Sequence, residues 1–237
     1  KILGLKSGEV YSDDMDTWPL RYGKLIIMTD QDVDGSHIKG LVMNVFHSHW
    51  RSLLQMDFVA SLLTPIVKVT KGKKKFAFYT LTDYEKWKSK NNSGKGWRVK
   101  YYKGLGTSTT KEAKEYFKRM KLVNYNWDST YSDNAIDLAF NKSRSDDRKD
   151  WLNAFDRAVV LDSKQEGVTY DEFIHKDFIH FSNYNLIRSI PSLVDGMKPS
   201  QRKIMFSCFK RNLSREIKVA QLAGYVSENA AYHHGEV

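Results

Sequence analysis

Residues 24–29 (KLIIMT) form a short, unbroken apolar run, and an acidic stretch, Asp30-Gln31-Asp32-Val33-Asp34-Gly35, follows it at once. Such a run reads as a buried strand. Ser36 stands as an N-cap for a following helix that carries Ile38, Leu41, Val42, Val45 and Phe46 at helical spacing. A strand, an acidic loop and an amphipathic helix in that order point to an α/β fold, in which chemistry gathers at the carboxyl ends of the strands. The three aspartates are expected at that end.

Alternate side chains of an extended segment face the same way, so Asp30, Asp32 and Asp34 can converge. Converging carboxylates repel one another unless a cation or protons lie between them. Oxygen ligands alone select hard ions such as Mg²⁺, which takes one or two carboxylates and keeps several waters. That arrangement suits phosphoryl transfer. An EF-hand calcium loop opens in the same way but needs a glutamate at its twelfth position; counting from Asp30, that residue is Leu41. The loop also follows a strand rather than a helix, and calcium is excluded. The residues leave a second reading open, a solvated acidic turn that caps the next helix.

Further along, PIVKV and KFAFY flank Thr70-Lys71-Gly72-Lys73-Lys74, a hairpin with a basic tip. A short helix is expected from Thr82 to Trp87, a strand over 97–102, and a helix through Glu112–Met120. Between the last two, Lys103-Gly104-Leu105-Gly106-Thr107-Ser108 can bring backbone N–H groups to a phosphate, with Lys103 supplying charge. An ordinary turn before a helix is the simpler reading of that loop. Residues 121–180 alternate charged helical pieces, such as Asp146–Phe155, with turns, a pattern that suits a connector. Pro199 then opens a helix with Ile204, Met205, Cys208 and Phe209 on one face, and Lys203, Ser207 and Lys210 opposite. After a break at 211–214, a second helix carries Val219, Leu222, Ala223, Val226 and Ala230. The pair matches a helix-turn-helix.

The formal charge is +10 over 237 residues, which favours a polyanionic partner. From Lys198 to Lys218 seven basic residues face one acid, Glu216, and contacts from such a cluster go mainly to phosphates. The adjacent His233 and His234 lack the i, i+4 spacing of a helical zinc pair; hydrogen bonds to neighbours or to phosphate are expected instead. A lone Cys208 excludes an internal disulfide, and no apolar stretch reaches the length of a membrane span. The chain opens on Lys1 rather than Met, as an internal piece of a longer protein would.

Together the segments RYGKLIIMTDQDVDGSHIKGL, TPIVKV, YYKGLGTSTTKEAKEYF, DDRKDWL, RSIPSLVDGMKPSQRK, CFKRN and KVAQLAGYVSE…YHHGE resemble, in this order, the eukaryotic type II (type IIA) DNA topoisomerases. The resemblance implies an α/β TOPRIM domain over 1–140, lacking its first strand and its catalytic Glu segment. It implies a mainly helical connector over 141–180, then the N-terminal part of a winged-helix domain over 181–237. The implied activity is transient double-strand cleavage and strand passage in a nuclear homodimer. Mg²⁺ assists, and ATP is hydrolysed by a separate domain. Asp30 and Asp32 match the metal-binding carboxylates, and Asp34 a supporting acid. Lys103 and Gly104 match the loop bordering double-stranded DNA. Arg188, Lys198 and Arg202 match basic winged-helix positions, Lys203 lies on the same basic face, and His233 and His234 match a pair close to DNA. The nucleophilic tyrosine and the catalytic glutamate are expected in the remainder of the same polypeptide, so this piece alone should not cleave DNA. A non-catalytic Mg²⁺- and DNA-binding module is the alternative.

Overall fold

The computed structural model describes residues 2–12, 20–102, 104–162, 165 and 167–232. The chain divides into two compact units, Lys1–Phe181 and Ser182–Val237. The first is mixed α/β, as the opening motif requires. Strand β1 (Leu25–Ile27) leads through α1 (Val33–His49) and the short α2 (Arg51–Leu54) to β2 (Val59–Leu62). β2 lies parallel to β1, with Leu25 opposite Val59. This is a strand–helix–strand crossover, and β2 is buried along its whole length, as an inner strand packed on both faces must be.

The chain then leaves the sheet for an excursion. β3 (Val67–Lys71), β4 (Lys74–Phe78), α3 (Leu81–Lys90), β5 (Arg98–Tyr101) and α4 (Thr110–Arg119) follow in order. The three strands form an antiparallel sheet with β3 in the middle. One of its faces carries Val67, Val69 and Val99 and packs on Tyr84 and Trp87 of α3. The chain returns as β6 (Leu122–Asn126), antiparallel to β2, and continues through α5 (Ser129–Phe140) and α6 (Ser145–Asn153). β7 (Gly167–Thr169) then joins the first sheet parallel to β6. After it come α7 (Tyr170–Phe173), a π-helical stretch over Ile174–Phe178, and α8 (Ile179–Ser189).

Residues 141–180 differ from the connector expected of them. β7 extends the main sheet, and Tyr170, Phe173, Ile174 and Phe178 sit in the main core beside Met43, Phe46 and Ile136. Large aromatic side chains bury too much area to be left on a linker. The face of α1 also differs. Ile38, Leu41 and Val45 point outward, whereas Gly35, Ser36, Lys39, Gly40, Met43 and Phe46 are buried. Gly40 explains the choice: a Cβ there would lie 2.6 Å from the Phe178 ring and 3.2 Å from Phe140. The helix turns its small residues inward so that the aromatic rings can close on its backbone.

In the second unit, α9 (Pro199–Lys210) and α10 (Val219–Asn229) form the expected helix pair. The faces of α9 are not those its apolar residues suggest. Ser207 is fully buried and its hydroxyl donates to the Lys203 carbonyl, whereas Met205 and Phe209 lie exposed. A serine satisfied by its own helix backbone can be buried without leaving a polar group unpaired.

Candidate site at the acidic loop

Asp30 leaves the end of β1 as expected, but the helix begins three residues later, and this decides where the carboxylates go. Asp32 is the N-cap of α1, its extended backbone presenting Oδ1 to the Gly35 N–H at 2.7 Å. The expected cap, Ser36, is instead inside the first turn. Asp34 lies in that first turn too, where a negative charge is favoured by the helix dipole. The alternation of an extended chain therefore stops at Asp32. Among the described residues no group of three His, Cys, Asp or Glu side chains is placed to hold a metal ion, so the three-way convergence does not form.

Asp30 meets a different element. Its Oδ1 accepts from the Leu105 N–H at 2.6 Å, and a Cβ on Gly104 would lie 2.6 Å from Oδ2. The Gly loop thus closes on the acidic loop, across 75 residues of sequence, and only a residue without a side chain fits at 104. These bonds use one oxygen of each of Asp30 and Asp32. Two hard carboxylates beside a loop backbone fit a divalent ion such as Mg²⁺, which asks for one or two and fills its other positions with water.

Behind α1 a buried polar cluster fixes the loop. Ser36 donates to Asp177 Oδ1 at 2.7 Å, and Lys39 Nζ lies 3.4 Å from Asp177 Oδ2. Burial opposes the charged form of Lys39, but the Tyr125 oxygen and the Asp177 and Asp32 carboxylates outweigh it, leaving the pKa above its ordinary value. The ammonium stays charged and ties the first turns of α1 to the π-helical stretch.

A second clamp fixes the Gly loop. Glu112, at the third position of α4, accepts from Lys100 Nζ and from the Thr109 N–H, each at 2.8 Å, and from the Tyr102 hydroxyl. Burial favours the protonated acid, but the bonds from Lys100, Tyr102 and Thr109 prevail and hold its pKa at about 2. Burial, reinforced by the Glu112 bond, pushes the Tyr102 phenol far above its usual range. β5 and α4 are thereby joined on either side of the loop. Lys103, expected beside the phosphate, lies outside the described residues.

In the second unit the basic candidates are largely engaged. Arg202 makes a two-pronged contact with Asp195, at 2.9 and 3.0 Å. The Arg188 guanidinium stands 5.1 Å from the Tyr184 ring, and the Lys198 N–H donates to Gln201 at the start of α9. Lys203 reaches the Ala231 carbonyl at 3.4 Å and the Tyr232 ring. His233 and His234 lie outside the described residues. Asp195 falls three residues before the basic cluster begins, so counting charge along the sequence misses it. Glu112 and Asp177 were missed too. A capping Thr-x-x-Glu at 109–112 was the available signal for the first, and nothing local marks the second.

Known proteins match the chain along its whole length. Residues 62–186 match the family described as the C-terminal associated domain of TOPRIM, and residues 188–237 match the DNA gyrase/topoisomerase IV family. DNA topoisomerase 2-alpha of Rattus norvegicus and of Homo sapiens are each 52% identical over the whole chain, and DNA topoisomerase 2 top-2 of Caenorhabditis elegans is 50% identical. The chain spans 16% of the length of each of these relatives. The solved DNA-binding, cleavage and re-ligation domain of Plasmodium falciparum topoisomerase II superposes with a TM-score of 0.84 at 48% identity, over 99% of this chain and 32% of that one. With one family matched over more than half its residues and relatives half-identical along its whole length, this chain belongs to the eukaryotic type II DNA topoisomerases.

Proposed function

We propose that the chain is a section of the DNA breakage–rejoining core of an ATP-dependent type II topoisomerase, with Asp30 and Asp32 as its Mg²⁺ ligands. The observation that carries this reading is the Asp30–Leu105 contact, which joins the acidic motif and the Gly loop in one place. When bound, the ion supplies positive charge to the phosphate oxygens of double-stranded DNA as charge builds on them. Asp30 and Asp32 hold that ion, and Asp34 adds negative field from the first turn of α1. The Leu105 N–H keeps the Asp30 carboxylate aimed, while Glu112 holds the loop that carries Leu105. Lys103 and Gly104 border the DNA. Arg188, Lys198, Arg202, Lys203, His233 and His234 contribute sequence-tolerant phosphate contacts in a winged-helix domain.

The nucleophilic tyrosine, the catalytic glutamate and the ATP site are assigned to other parts of the same polypeptide, which acts as a nuclear homodimer. The test is a Mg²⁺-dependent covalent adduct assay on the parent protein, wild type beside Asp30→Ala. Adducts at DNA 5′ ends that vanish in the variant support the assignment. A folded, DNA-binding parent that never forms an adduct would instead make the chain a non-catalytic Mg²⁺- and DNA-binding module.

A further inference from the structure

The excursion sheet carries a second feature that the acidic loop does not use. Its polar face, opposite the one packed on α3, opens into a groove of 440 Å³ flanked by α4. Strand register puts cations there in rows. Lys75 and Arg98 both lie opposite Thr70, one on each neighbouring strand, and Lys68 lies opposite Lys100 in the next row. Like charges directly across a sheet repel. The inner row is relieved, because Lys68 pairs with Glu115 at 3.3 Å and Lys100 with Glu112 at 2.8 Å. The outer row is not relieved: among the described residues Lys75 and Arg98 have no ion pair, nor does Lys111, which lines the same groove from α4. A face that was only solvated would mix its signs.

We propose that this groove seats the phosphate backbone of double-stranded DNA, with Lys75, Arg98 and Lys111 as its contacts. Duplex is favoured over an acidic peptide by position. Tyr102 and Thr109, which line the groove, bracket the loop that touches Asp30, so a backbone leaving the acidic site reaches these cations next. The inference rests on the proposed reading of the Asp30 site as the place where DNA lies, and extends that path along the protein.

The test measures binding of a fluorescein-labelled duplex to the full chain by anisotropy over a salt series, for wild type and for the triple variant Lys75→Gln, Arg98→Gln, Lys111→Gln. Removing three phosphate contacts should lower the slope of log affinity against log salt by about 2 to 3. A second variant, Thr70→Lys, adds a cation between Lys75 and Arg98 and should raise that slope by about 1, a gain that misfolding cannot mimic. If wild type binds duplex but neither variant moves the slope, the groove assignment is overturned and the reading of Asp30 stands. If wild type does not bind duplex at all, the groove and the DNA role of the chain fall together. If poly-glutamate binds through the same three residues as tightly as duplex, the nucleic-acid assignment is overturned.

Discussion

At Glu112 three donors meet one carboxylate, and the consequence can be followed with pH. Its pKa is held at about 2 against an ordinary 4.5, so the folded state favours the charged form. The stability it contributes is present above the unfolded value and is lost as pH falls from 4.5 toward 2. The full shift corresponds to roughly 3 kcal/mol, and partial access to water reduces this to about 2 kcal/mol. Glu112→Gln should therefore lower the urea midpoint at neutral pH and narrow its gap from wild type near about pH 3. An equal gap at both pH values would show that the carboxylate's charge is not what matters. At Gly104 the issue is space. Gly104→Ala puts a methyl 2.6 Å from Asp30 Oδ2, so either the loop or the carboxylate must move. Displacing a group that orients a metal ligand typically costs about tenfold or more in metal affinity. Adduct formation by the parent protein should then need correspondingly more Mg²⁺, and an unchanged Mg²⁺ requirement would mean that the loop does not orient Asp30.

The contact between α1 and the π-helical stretch connects the acidic loop to the core. Gly40→Ala would gain about 1 kcal/mol in helix propensity. Against that, the new methyl meets the buried Phe178 ring at 2.6 Å, and overpacking of this kind costs about 1–3 kcal/mol. The ring is enclosed by Phe140, Phe173 and Phe181, so it has little room to yield and the net effect should be destabilising. Chemical denaturation decides it: a more stable variant would mean that propensity wins. This helix also shows how far its sequence could be read. Its existence followed from spacing, but its buried face did not, because Gly35, Ser36, Lys39 and Gly40 are small or polar. They are inside only because distant aromatics and Asp177 receive them. The β3–β4 hairpin, β5, α3, α4 and the α9–α10 pair were legible from alternation, turns and periodicity. β7 was not: it has three residues, and its place comes from pairing Val168 with Tyr125.

For the whole molecule, the main sheet ties the candidate site to the stability of the first unit. β1 delivers Asp30, β2 and β6 hold β1 in place, and β7 with its aromatic continuation covers the back of α1. The α/β class was visible in one strand–loop–helix motif, and the pairing of acidic and glycine motifs came from family resemblance. The Asp30–Leu105 contact itself could not be read locally, since it depends on where the excursion from β2 to β6 returns. This coupling makes metal binding measurable without turnover. An ion held by Asp30 and Asp32 binds only when the loop is formed, so it must stabilise the first unit by mass action. At tenfold excess over its dissociation constant the gain is about 1.4 kcal/mol, or a rise of about 2–4 °C in melting temperature for a domain of this size. All six tryptophans fall within Lys1–Phe181, so their fluorescence follows that unit without the second. Mg²⁺ should raise the tryptophan-detected transition of wild type and not that of Asp30→Ala. A rise of the same size in both would place the ion elsewhere on the chain and leave the acidic loop as a helix cap alone.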